Sequence, residues 1–197
     1  MSAFRLGLTG SIGMGKSTTA GFFAARDVPV WDADAAVHRL YAPGGAAAPA
    51  LASHFPQAVT GGAVDRAALK VALAEDAGKL KLLEQIVHPL VAQDRVAFLA
   101  QASADLVVLD IPLLFEKGTE TECDATLLVT APASVQRARV LARPGMTEAQ
   151  FALILSRQMP DAEKRFRATH VVETLSLAST DAYVDALISH IRAGRHA

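Results

Sequence analysis

The sequence predicts an α/β fold, a doubly wound parallel sheet covered by helices. Three observations carry that prediction. Short apolar strand patterns alternate with segments of helical periodicity along the chain. The run Leu106-Val107-Val108-Leu109-Asp110-Ile111 is apolar enough for a strand buried on both faces, as in a central parallel sheet. The first strand runs through a glycine-rich loop directly into a helix, which is a βαβ beginning.

That beginning is the most informative stretch. Phe4, Leu6 and Leu8 alternate with Arg5 and Gly7 and lead into Thr9, a strand pattern. Gly10-Ser11-Ile12-Gly13-Met14-Gly15-Lys16-Ser17 follows with the spacing G-x-x-x-x-G-K-[ST]. Ser17 to Arg26 then carries Ala20, Phe23 and Ala24 at helical spacing. The glycines let the backbone turn sharply and approach a ligand closely. Successive N–H groups at a helix N-terminus favour an anion. Gly10 to Ser17, with the adjoining Thr18, therefore reads as the phosphate cradle of a nucleoside triphosphate site in a P-loop NTPase fold. Lys16 is the ammonium for the outer phosphates, and the Ser17 hydroxyl is a ligand for Mg²⁺.

Val28-Pro29-Val30-Trp31 reads as the second strand and ends in Asp32-Ala33-Asp34. In an open parallel sheet ligands bind beyond the carboxyl ends of the strands, so these acids are expected beside the cradle. One of them also suits the N-cap of a helix over Ala35 to Tyr41. Pro43-Gly44-Gly45 and Gly61-Gly62 are turn signals. Asp65 caps a helix holding Ala68, Leu69, Ala72 and Leu73. A long helical pattern starts near Lys79, and Pro89 is expected to kink or divide it. Nothing from Asp34 to Ser103 reads strongly as a strand, so this region is expected to be a helical insertion for the second substrate.

Asp110 ends the apolar run where a Walker-B acid faces Mg²⁺. In Pro112-Leu113-Leu114-Phe115-Glu116, the apolar residues suit the core, and Glu116 reads as solvated or capping. Ala125 to Thr130 is a further strand, and Pro132 starts a helix carrying Gln136, Arg137, Arg139 and Arg143. Pro144-Gly145 breaks it, Thr147 and Gln150 have capping-box spacing, and Asp161 begins another helix with Lys164, Arg165 and Arg167. These basic helices read as a lid, with Arg139 and Arg143 on one helix face neutralising charge on a transferring phosphoryl group. His170 to Glu173 is the last strand, and Asp181 to Arg192 an amphipathic closing helix. The expected division is a single domain over 1–197, with core 1–34, 104–135 and 168–197, insertion 35–103 and lid 136–167.

Composition narrows the function. The 197 residues are 51% hydrophobic with a net charge of −1, so no basic field draws nucleic acid or an anionic membrane. The lone Cys123 excludes an internal disulfide, and the strand at the very start leaves no room for a signal peptide. A cytoplasmic protein, monomeric or weakly oligomeric, is expected. His38 and His88 lack ligand spacing and read as packing or hydrogen-bonding residues. The chain contains no Asn, so a guanine-reading Asn-Lys-x-Asp cannot exist, and no Asp-x-x-Gly follows the Asp110 strand; both speak strongly against a GTPase switch. Small size and neutral charge speak against a nucleic-acid motor or a regulatory P-loop ATPase. A small-molecule kinase needs positioning, charge relief and a base for an acceptor hydroxyl. Here Asp34 is the expected base, with Asp32 supporting it or touching the metal complex, and ATP and Mg²⁺ the expected cofactors.

The chain resembles the dephospho-coenzyme A kinase family nearly end to end. The resemblance is carried by Leu8 to Thr18, Asp32-Ala33-Asp34, Asp65-Arg66 with Leu69, His88-Pro89, Pro112 to Glu116, Gln136 with Arg139 and Arg143, and Gln158. It implies transfer of the ATP γ-phosphoryl to the ribose 3′-hydroxyl of dephospho-coenzyme A. It implies Asp34 as the base with Lys16 and Arg139 at the reacting phosphate, and Arg143 on the nucleotide. Asp32, Arg66, His88 and Leu114 are implied as substrate contacts. His38, Pro56 and Thr174 stand where members often have Arg, Gly and Asn, the last near the adenine. The runner-up is a nucleoside monophosphate-type kinase, which shares core, insertion and lid.

Overall fold

A computed structural model describes residues 3–195. Strand β1 (Phe4–Thr9) leads to α1 (Lys16–Ala24), β2 (Val30–Asp32) and α2 (Ala33–Tyr41). Next come α3 (Ala47–Leu51), the short strands β3 (Val59–Thr60) and β4 (Ala63–Val64), α4 (Arg66–Glu75) and α5 (Ala77–Gln101). Then follow β5 (Leu106–Asp110), β6 (Ala125–Thr130), α6 (Ala133–Leu141) and α7 (Glu148–Leu155). Helix α8 (Asp161–Arg167), β7 (His170–Glu173) and α9 (Leu177–Arg195) complete the order. The chain divides into two compact units, Met1–Trp31 with Ala102–Ala197, and Asp32–Gln101.

The first unit carries a five-stranded sheet in the order β2-β5-β1-β6-β7. β1 pairs in parallel with β5 and with β6, and β6 with β7. The strand order therefore reverses at β1, and the crevice outside its carboxyl end is where such sheets bind ligands. β5 and β6 are buried along their whole length, as a sheet covered on both faces requires. Leu6 and Leu8 pack with Val108, Leu127, Val129, Phe23 of α1, and Val184, Leu187 and Ile188 of α9. Helix α9 begins at Leu177, earlier than the expected Asp181, because Ser176 caps it by accepting from the Ser179 N–H at 3.1 Å.

The second unit has its own core around Leu51, Phe55, Leu69, Leu83 and Val87. Asp65 caps α4 as expected, accepting from the N–H groups of Ala67 and Ala68. The expected lack of strands fails here, and of the kink or division expected at Pro89 the division does not occur. Val59-Thr60 and Ala63-Val64 form an antiparallel hairpin in a stretch that shows no strand pattern. Two residues per strand are too few for an alternation to register. Pro89 does not divide α5, which runs on as one element. A proline inside a helix costs about 3 kcal/mol, and the packing of Leu83, Val87, Leu90 and Val91 on both sides of it offsets that cost. Among the described residues, no helix is long and apolar enough to cross a membrane.

Leu127 is fully buried in the central sheet. Leu127→Ala is expected to cost about 2–5 kcal/mol, transfer and cavity together, measured by urea denaturation of the variant beside the parent.

Candidate active site

The loop after β1 turns on Gly15, whose φ of 92° is left-handed and open mainly to glycine. A Cβ there would also stand 3.0 Å from Thr174 Oγ1. Gly15 is the N-cap of α1, so the chain passes from a buried strand to a helix N-terminus within one loop. Ser17 and Thr18 in the first turn are exposed. The first N–H groups of a helix have no partner within it, which makes this end an anion site. Lys16 forms an ion pair with Oδ1 of Asp110, which is 2% exposed at the carboxyl end of β5.

Thr174, directly after β7, ties the loop to the neighbouring helix. Its hydroxyl donates to the Met14 carbonyl at 2.8 Å and accepts from Nη1 of Arg139 at 2.9 Å. Arg139 also donates to the Thr174 carbonyl. Arg143 does not extend the face that carries Arg139: α6 ends at Leu141, and Arg143 lies in the bend beyond it. The residue before a proline is disfavoured in the helical region, and Pro144 imposes that here. The two arginines nonetheless line one cavity of about 330 Å³, together with Gly13, Gly15, Thr18 and Thr174.

On the other side of the loop, the Ile12 carbonyl accepts from Gln136 Nε2 at 2.8 Å, and the Ile12 N–H donates to Gln158 Oε1 at 3.1 Å. Met159 is anchored in turn, its N–H donating to Glu116 Oε1 at 2.9 Å. Glu116 also pairs at 2.8 Å with Lys164, which is fully buried in α8. Glu116 is thus an ion-pair partner rather than a solvated or capping residue. Burial alone would raise its carboxyl pKa, but Lys164 and the Met159 N–H outweigh that and leave it lowered.

The second unit presents the remaining candidates. Asp32 is the N-cap of α2 and accepts from the Ala35 N–H at 2.9 Å. Asp34 lies in the first turn of α2 and is exposed. The guanidinium of Arg66 stacks over the Tyr41 ring at 5.5 Å. His38 on α2 and His88 on α5 are exposed, so neither is a packing residue. Leu114 belongs to the first unit and is 0% exposed, with Cδ2 where a Cβ on Gly7 would come within 3.1 Å. It is a core residue and offers no surface to substrate. Among the described residues no group of three or more His, Cys, Asp or Glu side chains could hold a metal ion.

A family model described as dephospho-CoA kinase matches residues 4–178. The chain belongs to the dephospho-CoA kinase family. It is an ATP-dependent kinase. A dephospho-CoA kinase from Cereibacter sphaeroides is 67% identical over 192 residues, spanning 98% of each chain. The crystal structure of TT1252 from Thermus thermophilus superposes with a TM-score of 0.86 at 38% identity, covering 96% of this chain and 98% of that one. The dephospho-CoA kinase from Campylobacter jejuni shares the fold, with a TM-score of 0.73 at 23% identity over 97% and 98% of the two chains.

Within this dephospho-CoA kinase fold, the contact roles of Thr174, Gln136, Gln158 and Glu116 were not readable as such. Each bonds a group far along the chain, and no local pattern marks such a pair. Only the family resemblance singled out Gln136 and Gln158, without saying what they touch.

Removing the Glu116 carboxylate would leave the Lys164 ammonium buried without its counter-charge. Glu116→Ala is expected to lose about 3–5 kcal/mol at neutral pH, read by chemical denaturation. The folded-state carboxyl titrates below its unfolded value, so its contribution is whole at neutral pH and lost as pH falls through the lowered value. The variant should therefore lose less stability on acidification than the parent.

Proposed function

We propose that this kinase transfers the γ-phosphoryl of ATP to the ribose 3′-hydroxyl of dephospho-coenzyme A, giving coenzyme A and ADP. The observation that carries this is 67% identity across nearly the full chain to a protein named dephospho-CoA kinase. The phosphate cradle at the carboxyl end of the central strand supports it. Asp34 acts as the base: an exposed carboxylate in the first turn of α2, it takes the proton of the acceptor hydroxyl. The alkoxide oxygen then bonds to the γ-phosphorus as the bond to the bridging oxygen breaks, and ADP leaves. Residues Gly10 to Thr18 cradle the phosphates, and the Lys16 ammonium balances charge on the outer two.

Arg139 and Arg143 line the nucleotide side, and helices 136–167 serve as the lid. Asp32, Arg66 and His88 belong to the substrate side, in the helical insertion. Ser17 and Asp110 would hold Mg²⁺, since a hydroxyl and a carboxylate are the hard oxygen donors this ion takes, with phosphate and water completing the set. When bound, the ion supplies neutralisation of charge on the phosphates. The protein acts on small molecules in the cytoplasm as a monomer or weak oligomer, independently of nucleic acid and membrane.

The reading is tested by incubating the protein with Mg-ATP and a panel of acceptors that includes dephospho-coenzyme A and AMP. Phosphorylation of dephospho-coenzyme A alone is expected; turnover of AMP instead would make it a nucleoside monophosphate-type kinase. Asp34→Asn should leave ATP affinity near that of the parent while kcat falls about 100-fold or more, the range of a lost general base. Near-normal kcat would show that another group is the base. Lys16→Ala should also abolish transfer, but with weakened ATP binding, which calorimetric titration distinguishes.

A further inference from the structure

We propose that Gln136 and Gln158 are positioning residues for phosphoryl transfer, a two-sided clamp on the Ile12 peptide group that holds the phosphate loop in its working shape. This deepens the kinase reading above and rests on it. The two side chains take both polar backbone groups of one residue: Gln136 donates to its carbonyl at 2.8 Å, and Gln158 accepts from its N–H at 3.1 Å. Ile12 therefore has no backbone N–H left for phosphate. Its role in the loop is to be held.

The loop needs holding. Gly10, Gly13 and Gly15 give it the turns it makes, with φ of 77° at Gly13 and 92° at Gly15, and glycine is also the residue with the most freedom to lose. Phosphate donors act in catalysis only if they are already aimed where charge develops. The order that the glycines cannot supply comes from outside the loop. Gln136, 5% exposed on α6, grips one side of Ile12. Gln158, after α7, grips the other, and the next residue is pinned by the Glu116–Lys164 pair. Across the loop, Thr174 holds the Met14 carbonyl at 2.8 Å. The segments carrying the two glutamines are those proposed as the lid, so lid and phosphate loop share one hydrogen-bonded joint.

The chemistry of the clamp is directional. Gln158 is needed as an acceptor and Gln136 as a donor, so the two should respond oppositely to the same replacement. Steady-state kinetics of the full chain would compare Gln158→Ala, Gln158→Glu, Gln136→Ala and Gln136→Glu with the parent. Both alanine variants are expected to lose about ten- to hundred-fold in kcat, the scale of a small misplacement of reacting groups, with KM for dephospho-coenzyme A little changed. Gln158→Glu keeps the acceptor and should recover most of the lost kcat. Gln136→Glu sets a carboxylate against a carbonyl and should recover none. Both add one negative charge near the loop, so the contrast isolates hydrogen-bond polarity from charge.

Alanine variants with parental kcat, or the two glutamate variants behaving alike, would overturn the clamp. If Gln136→Glu fails to fold, as thermal unfolding would reveal, the Gln158 pair decides alone. A parent that does not phosphorylate dephospho-coenzyme A would remove the kinase reading and this proposal with it. A normally active parent without the contrast would remove the clamp only.

Discussion

Everything around the phosphate loop depends on the left-handed turn at Gly15. That single backbone conformation lets a central strand, buried from Leu6 to Thr9, end and a helix begin over the same loop. It thereby delivers the positive end of α1 to the crevice outside the sheet. The conformation excludes a Cβ on steric grounds, and the space is closed independently, because Thr174 already fills it. The neighbouring strands then decide what meets the loop. β5 brings Asp110 to Lys16, and the segment after β7 brings Thr174 to Met14 and Arg139. A central strand flanked on both sides is what allows two sets of side chains to converge on one turn.

Convergence has a cost in buried polarity, and the structure meets it with pairs rather than single groups. Asp110 and Lys164 are both almost wholly inaccessible. An isolated buried charge is expensive to keep ionised. Asp110 lies against Lys16 and Lys164 against Glu116, so neither is isolated. These pairs give little net stability over an apolar core of the same shape. Their effect is geometric, since each joins elements far apart in sequence. Glu116 links the segment after β5 to the residue that follows Gln158.

The fold was legible in the sequence because its signals are local. Gly10 to Ser17 between a strand and a helix, the apolar run at β5, and the Thr147–Gln150 capping box each occupy a few consecutive residues. The capping box forms as its spacing predicts, and β6 has the expected limits of Ala125 and Thr130. The errors are also physical. Arg143 left the helix because Pro144 follows it, a local effect that helical spacing overlooks. Pro89 stayed inside α5 because tertiary packing on both sides overrode a local breaker. Leu114 stood within a stretch shared with a kinase family, and that resemblance drew it into the site when its place is the core. The glycine-rich loop of the candidate site was legible in the sequence and its supports were not, because Gln136, Gln158, Glu116 and Thr174 act through contacts that no short window contains.

The two acids after β2 show how a local rule can divide labour within a motif. A helix starting at Ala33 makes Asp32 its N-cap, and the Ala35 N–H accordingly occupies an oxygen of that carboxylate. Asp34, two residues on, falls in the first turn and is exposed. One acid is fixed by the helix it starts, and the other is left exposed. A capping carboxylate keeps free lone pairs, but the backbone N–H it accepts fixes its orientation, whereas a base must be able to turn toward the acceptor hydroxyl. The start of α2 at Ala33 thus distinguishes the two acids, and Asp34 rather than Asp32 is the proposed base.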